Sequence, residues 1–595
     1  MSTDTAFLGV ENSLGGRFWQ SRLDQDAPAL AICQKLGVAD LVGRVLAGRG
    51  VDVDTAADFL NPTLRAYLRD PHVMQDMEKA AKRIAVAIKA KEKITIFGDY
   101  DVDGATSSAL LRRFLAHLGV NAKVYIPDRI TEGYGPNTQA FSRIADSGTS
   151  LIVTVDCGTS SFEPMAQMRA RGVDVVVLDH HIAGEDLPPA FALVNPNRQD
   201  DISGYGQLAA VGVTFMLLVA LNRVLRDQGA YGAALKEPDL LQWLDLVALG
   251  TVCDVVPLRG LNRAFAAQGL KVLARRQNTG LAALAAVARI NSPIDAYHLG
   301  FVLGPRINAG GRVGEAWLGT ELLFTTDEAR AAEISARLDQ LNAERKAIED
   351  EVVDEAVLQA GDRLQDNPDL DILVVARKNW HPGVIGIAAS RLKSMFNRPA
   401  IVIALDETGE GKGSGRSIEG VDLGAAISKA AGQGVILKGG GHKMAGGLSL
   451  RAEQVDAFSA FMVETLGPDS RKARARNVLK LDGAITARAA ASAELVGALE
   501  QAGPFGAGNA RPRLVLPAHH VVFADIVGKD HVRCTLKAAD GARLQAIAFR
   551  AADTPWGNCL LTERQMPLHV AGSLKLDHWQ GREQIKLHIE DVALA

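Results

Sequence analysis

The chain has 595 residues, too many for one hydrophobic core, and implies three or four domains. It is 47% hydrophobic and 23% charged, an ordinary globular balance, and its net charge of −4 excludes a globally basic surface, so any nucleic-acid site must be local or must meet phosphate through metal. Five scattered cysteines (Cys33, Cys157, Cys253, Cys534 and Cys559) with no C-x-x-C pair argue against a disulfide framework or a zinc knuckle.

Residues 1–75 read as an irregular, mostly helical lead-in with Pro breakers. The opening MSTDTAFLGVENSLGGRFW has no charged start followed by an apolar stretch, so no secretion signal is read there and a cytoplasmic protein is expected. A regular rhythm then begins. Helices are predicted at Met77–Lys91, Ala105–Leu118, Thr138–Ser147 and Glu163–Arg171. Strands are predicted at Ile94–Phe97, Ala122–Ile126, Leu151–Val155 and Val173–Leu178. Such alternation implies a doubly wound parallel sheet, whose ligands bind at the C-terminal strand ends. Residues 205–300 read as mainly helical. Their most apolar run, Leu208–Leu221, falls short of the about 20 residues that span a bilayer and is expected to be a buried helix.

From Thr326 to about Arg363 the pattern is one long polar helix. At about 1.5 Å per residue it would exceed 50 Å and suits a strut between domains. A second, smaller α/β segment follows, with strands at Ile372–Ala376 and Ala400–Ala404 and a helix at Gly383–Lys393. It contains the glycine-rich stretches GKGSGRSIEG (411–420) and KGGGHKMAGG (438–447). Residues 475–595 show short alternating stretches separated by turn residues, interrupted by the helix-like ASAELVGALEQAG, and read as a small antiparallel β barrel. Positive charge concentrates here: residues 471–595 carry 17 Lys+Arg against 12 Asp+Glu.

Acids and histidines collect at the strand ends. Strand 94–97 runs into Asp99, Asp101 and Asp103 of GDYDVDG. Strand 151–155 runs into Asp156 of DCG, and strand 173–178 into Asp179-His180-His181; Asp254 follows another apolar stretch. Crowded carboxylates at a buried edge repel one another and lose hydration, and a cation removes both objections. Oxygen ligands with one or two imidazoles suit Mn²⁺ or Mg²⁺, and five or six ligands suit two ions bridged by a shared carboxylate. Each piece also has a plain alternative. Asp99 could cap the next helix. The D-x-D-x-D-G run resembles the start of a calcium loop, but Leu110 stands where that loop needs its twelfth-position Glu. The histidines could be structural, and Cys157 and Cys253 are read as small core fillers.

In order, DYDVDG, DCG, DHH and Asp254 resemble the four motifs of the DHH phosphoesterase superfamily. GPRINAGGR (304–312), WHPGVIGIAASRL (380–392), GRSIEG (415–420), GGGHKMAGG (439–447) and GPFGAGN (503–509) extend the resemblance to the bacterial RecJ single-stranded-DNA exonucleases, over roughly residues 75–595. Val102 and Gly310 stand where that family often has Ala. The resemblance implies a 5′→3′ exonuclease that releases mononucleotides and needs two Mn²⁺ or Mg²⁺ ions. It implies a DHH domain (76–325), a connecting helix (326–364), a DHHA1 domain (365–470) and an oligonucleotide-binding (OB) barrel (471–595). One ion would take Asp101 and Asp156 with Asp99. The other would take Asp103, Asp156, His180 and Asp254, and His181 would lie beside the scissile phosphate. His442 would contact substrate phosphate, with Lys443 as a further donor.

Arg pairs bidentately with phosphate. Arg129 in IPDRITEGYG, Arg306 and Arg312 in GPRINAGGR, and Ser414 with Arg416 in GSGRS, all expected in loops, are therefore candidates for a 5′-phosphate pocket. Lys529, Arg533, Lys537, Trp556 and Trp579 are candidate strand contacts on the barrel, with core packing as the alternative for either Trp. Single-stranded DNA is the expected partner of a monomer with no membrane association. A RecQ-type helicase and a single-strand-binding protein are implied by resemblance only, as is a role in recombination and repair. The alternatives are a DHH phosphodiesterase for short oligonucleotides or cyclic dinucleotides, a pyrophosphatase of the superfamily, which would be shorter, and a non-catalytic replication scaffold.

Overall fold

Five parallel strands form the first sheet, in the order Lys123–Tyr125, Ile94–Gly98, Leu151–Val155, Asp174–Leu178, Ala192–Val194. Three of them, Ile94–Gly98, Leu151–Val155 and Ala192–Val194, are buried throughout, as both faces of a doubly wound sheet require. The strand order reverses between Ile94–Gly98 and Leu151–Val155, which makes the gap between their C-terminal ends the topological switch point. The helices Met77–Lys89, Val102–His117, Thr138–Asp146 and Phe162–Ala170 fall where the periodicity put them. The strand Ala192–Val194 has no counterpart in the predicted elements.

In the computed structural model the described residues are 5–129, 131–475, 477–579 and 582–595, without the side chains of 578, 579, 582 and 583. The chain divides into two compact units. One comprises 21–341 with 480–595; the other comprises 5–20 with 342–479. The apolar run 208–221 lies in the helix Ala210–Asp227, buried along most of its length. No helix among the described residues is long and apolar enough to cross a membrane. The polar helix is Glu328–Asp366, 39 residues or about 58 Å, and the division between the units falls within it.

Most of the lead-in belongs to the first unit rather than standing apart. The buried Asp482 carboxylate, at the start of the barrel segment, takes Arg49 Nη1 at 2.8 Å, Arg22 Nε at 3.2 Å and the backbone N–H of Arg513 at 2.8 Å. In the barrel Leu514–Val527, His531–Lys537, Arg543–Ala548, Arg582–Leu594 and Leu568–Trp579 pair in turn, and the last returns to the first. Closure leaves no open edge.

The second unit carries a five-stranded mixed sheet in the order Lys438–His442, Ala445–Arg451, Glu410–Arg416, Ala400–Leu405, Leu373–Lys378. Its glycine-rich stretches are strands, not the expected loops. On Glu410–Arg416 the glycines alternate and face the core. A Cβ on Gly413 would come within 2.8 Å of Leu448, and one on Gly415 within 2.7 Å of Leu423. GGGHKMAGG likewise forms a hairpin, Lys438–His442 against Ala445–Arg451. GPRINAGGR is also no loop: Gly304–Val313 is a helix. On Glu410–Arg416 glycine serves close packing, which a loop reading of the sequence misses.

Candidate active site

The switch point gathers the acids. Asp99, Asp101 and Asp103 leave the strand Ile94–Gly98, Asp156 leaves the neighbouring Leu151–Val155, and Asp179-His180-His181 leave the next strand. Asp254 arrives at the C-terminal end of the helix Leu244–Cys253. Ligand atoms within 4.8 Å of one another fall into three sets: Asp99, Asp101 and Asp156; Asp103, His180 and Asp254; Asp156, His180 and His181. Helix capping, the plain alternative for Asp99, belongs instead to Asp101, whose carboxylate accepts from Gly104 N at 3.0 Å.

Each group is held by a partner behind it. Both Asp103 oxygens accept backbone N–H groups, from Ala210 at 2.6 Å and Val211 at 2.8 Å, at the positive end of the helix Ala210–Asp227. His180 Nδ1 lies 3.0 Å from the Leu208 carbonyl, so the proton sits there and the Nε2 lone pair faces the acids. Nε2 is 3.3 Å from Asp156, 3.7 Å from Asp254 and 3.9 Å from Asp103. His181 Nδ1 lies 2.8 Å from Asp179, and the Tyr134 hydroxyl, 3.2 Å from the same ring nitrogen, donates to the Asp156 carbonyl at 3.1 Å.

Of these holders Asp179 was visible in the sequence only as part of the Asp-His-His run, and Tyr134, Asn195 and Asn197 had no place among the candidates. Asp179 points away from the acids and accepts from the N–H groups of Thr159, His180 and His181. Asn195 Nδ2 donates to the His181 carbonyl at 2.7 Å, and Asn197 Nδ2 to that of His180. Their one signal was the Asn-Pro-Asn that follows a buried run.

The electrostatics ask for positive charge. Burial, then Asp101, pushes Asp103 up to about 7. Burial with Asp103 pushes Asp254 up to about 9, and burial raises Asp99 and Asp156 well above the usual carboxylate range. Burial, then His181, lowers His180 to about 4, which keeps it neutral. Burial works the other way on Asp179, but its bonds to His181 and Thr159 hold it below the usual range. The buried Asp99 Oδ1 has no hydrogen-bond partner. An orphaned carboxylate oxygen among mutually repelling acids fits a divalent cation.

Among the arginine candidates, the Arg129 guanidinium lies 5.0 Å from the Tyr100 ring centroid, within the D-Y-D loop. Arg312 follows Gly311, where an added Cβ would come within 2.9 Å of the Tyr100 carbonyl oxygen. Arg306 forms an ion pair with Asp339 at 2.8 Å and donates to the Val302 carbonyl.

Arg416, Ser414 and His442 lie in the second unit. Arg416 pairs with Ala445 and Ala445 with His442, so the three residues stand in one row on one face, with Ser414 two residues along. Arg416 Nη1 donates to Ser414 Oγ at 3.1 Å. Against that face lies the start of the helix Ile385–Phe396. A Cβ on Gly386 would meet Ser414 Oγ and Arg416 Nη2 at 3.0 Å each. Guanidinium, hydroxyl and helix N-terminus together make an anion-favouring corner.

On the barrel, Lys529 and Lys537 are exposed and Trp556 is half-buried. Arg533 is committed to Asp525. The side chain of Trp579 lies outside the described residues.

Comparison with known proteins places this geometry. Residues 93–251 match the DHH family N-terminal domain, 369–467 the DHHA1 domain and 481–591 the RecJ OB domain. The single-stranded-DNA-specific exonuclease RecJ of Escherichia coli is 34% identical over 562 residues, 93% of this chain and 95% of that protein. That of Dickeya dadantii is 36% identical over 561 residues, 92% and 95% of the two chains. The crystal structure of RecJ from Thermus thermophilus in complex with Mn²⁺ superposes with a TM-score of 0.77 at 27% identity, covering 96% of this chain and 78% of that one. The chain therefore belongs to the RecJ family of single-stranded-DNA-specific exonucleases.

Proposed function

We propose that this chain is a metal-dependent exonuclease that degrades single-stranded DNA from its 5′ end, releases 5′-mononucleotides and serves recombination and repair. The observation that carries the reading is the convergence of Asp99, Asp101, Asp103, Asp156, His180, His181 and Asp254 at the switch point of a chain in this family. Asp99, Asp101 and Asp156 would hold one Mn²⁺ or Mg²⁺ ion, and Asp103, Asp156, His180 and Asp254 a second, with Asp156 shared. When bound, the ions supply Lewis acidity to the scissile phosphate and to the attacking water.

The chain's own residues do the rest. His180 keeps its proton on Nδ1, against Leu208, and offers Nε2 inward. His181, oriented by Asp179 and Tyr134, presents its other nitrogen to the phosphate, where it can donate to a developing charge. Ser414, Arg416 and His442, with the helix N-terminus at Gly386, form the anion corner that would receive a 5′-phosphate. The domain division this reading uses is 76–325, 326–364, 365–470 and 471–595. Its setting is a cytoplasmic monomer whose strand is exposed by a RecQ-type helicase and coated by a single-strand-binding protein.

The test pairs wild type with Asp156→Ala on 5′-labelled and 3′-labelled single strands, in Mn²⁺ or EDTA. Immediate release of the 5′ label as mononucleotide, only in wild type with metal, supports the reading. Intact long strands with hydrolysed dinucleotides would move the assignment to a short-oligonucleotide phosphodiesterase, and binding without cutting to a scaffold. Arg416→Ala should erase any preference for 5′-phosphorylated over 5′-hydroxyl ends; an unchanged preference removes the corner from the mechanism.

A further inference from the structure

Glu132 has no role in the reading above, yet it stands between Arg129 and Tyr134 in the turn that follows the strand Lys123–Tyr125. Its carboxylate Oε2 accepts from the Tyr125 hydroxyl at 2.7 Å and lies 3.2 Å from Arg143 Nη2. Arg143 Nη2 also donates to the Tyr125 hydroxyl oxygen at 2.8 Å, so the three groups close on one another. Burial, then the bond to Glu132, pushes the Tyr125 phenol up to about 12, which keeps it a donor at neutral pH.

Both ends of this contact are stiff. The Tyr125 ring stacks on Phe97 with centroids 5.4 Å apart and planes 15° apart. Phe97 is buried in the strand Ile94–Gly98 and meets Phe141 edge-on at 5.4 Å. Arg143 comes from the helix Thr138–Asp146. At the other end the Asp128 carbonyl accepts from the N–H groups of Glu132 at 2.8 Å and Gly133 at 3.1 Å, and Asp128 Oδ1 accepts from Thr131 N at 2.8 Å. Two residues beyond Glu132, the Tyr134 hydroxyl reaches the Asp156 carbonyl and His181 Nδ1. A wound turn tied to a packed strand end leaves that hydroxyl little freedom.

We propose that Glu132 is a positioning residue: through Tyr125 it fixes the turn that sets the Tyr134 hydroxyl against His181. The proposal rests on the exonuclease reading and adds to it a residue that acts on the cluster without touching any of its acids. Two magnitudes separate this role from that of a merely structural contact. The Arg143 side chain is 53% exposed, and so open an ion pair contributes little to stability. A reacting group misplaced by about 1 Å can lose about a hundredfold in rate. Losing Glu132 should therefore cost rate rather than fold.

The experiment measures kcat of the full chain on 5′-labelled single strands in Mn²⁺, beside urea unfolding. Glu132→Ala should lower kcat by about tenfold or more and leave the urea midpoint near that of wild type. Glu132→Gln, whose amide oxygen still accepts from Tyr125, should recover most of the lost rate. Tyr134→Phe removes the hydroxyl at the far end of the path, so the double variant Glu132→Ala/Tyr134→Phe should lose no more than the worse of the two single variants. Wild-type kcat in Glu132→Ala, whatever its urea midpoint, overturns the proposal. So does a Glu132→Gln no better than Glu132→Ala, or losses that multiply in the double variant. If Glu132→Ala does not fold, Tyr125→Phe breaks the same contact and takes its place in the cycle. Failure of the exonuclease reading shows separately, as a wild-type chain that leaves the strand uncut in Mn²⁺.

Discussion

Gly311→Ala tests whether the GPRINAGGR helix sets the metal-ligand loop. A Cβ at Gly311 would sit 2.9 Å from the Tyr100 carbonyl oxygen and 3.1 Å from Tyr100 Cβ, and Tyr100 lies between Asp99 and Asp101. Ordinary contact begins near 3.4 Å, so the loop must give way by about half an ångström. In the helix alone the substitution would stabilise by up to about 1 kcal/mol. Overpacking costs about 1–3 kcal/mol, so the net loss of stability should be no more than about 3 kcal/mol. The effect on the cluster should be larger in proportion, because disturbing what orients a ligand costs about 10–100-fold in metal affinity or activity. Mn²⁺ titration of nuclease activity, beside urea unfolding in EDTA, separates the two. The variant should fold and need at least tenfold more Mn²⁺ for half-maximal activity. A wild-type Mn²⁺ requirement would refute the argument that this helix positions Asp99 and Asp101.

Three further outcomes are expected. Burial raises the Asp245 carboxyl to about 6 against an unfolded value near 3.8, so its protonated form is the one the fold favours. That contribution is fully present below about pH 3.8 and is lost as pH rises through 6. Asp245→Asn should therefore stabilise by about 1–3 kcal/mol at pH 7.5 and by little at pH 4, as read from urea midpoints at the two pH values. Asp482→Ala should destabilise by about 3–5 kcal/mol, because it strands the buried Arg49 and frees the lead-in from the barrel segment; a loss under 1 kcal/mol would mean the pairing is incidental. Mn²⁺ at a hundred times its dissociation constant should add about 2.7 kcal/mol to wild-type stability, and none of that gain should remain in Asp156→Ala, as checked by thermal melts with and without chelator.

What was legible in the sequence follows its range of interaction. Asp99, Asp101, Asp103, Asp156 and the DHH run were visible because each follows a buried apolar run, and a parallel sheet brings such ends together. The second tier was not. Asn195 and Asn197 act on the carbonyls of His181 and His180, and Tyr134 on a carbonyl and a ring contributed by two other strand ends. None of these partnerships leaves a periodic trace. The ion pair of Arg306 was hidden for the same reason, since its carboxylate partner lies 33 residues away on the long helix. The glycines misled in a different way. Their absent side chain permits either a turn or the close approach of another group, and at Gly311, Gly413 and Gly415 the group that approaches is Tyr100, Leu448 or Leu423.

Strain at the cluster follows from the same geometry. Asp156 still donates its N–H to the Leu178 carbonyl at 2.9 Å, so it continues the sheet ladder at the moment its side chain must leave the strand. With extended dihedrals that side chain would point to a sheet face, above or below the neighbouring strand ends. At φ +62° the backbone turns out of the plane and the carboxylate meets acids from the strand on one side and His180 from the strand on the other. Glycine would adopt this conformation more easily but has no carboxylate to give, so the cost of a left-handed Asp, of order 1–2 kcal/mol, falls on the residue that two of the three candidate ligand sets share. Val255 repeats the pattern one residue after Asp254, at φ +61°. The left-handed backbone at Asp156 is accounted for by the need to aim its carboxylate inward from a strand end, whereas Asp254 keeps helical dihedrals at the end of Leu244–Cys253 and the chain turns only after it.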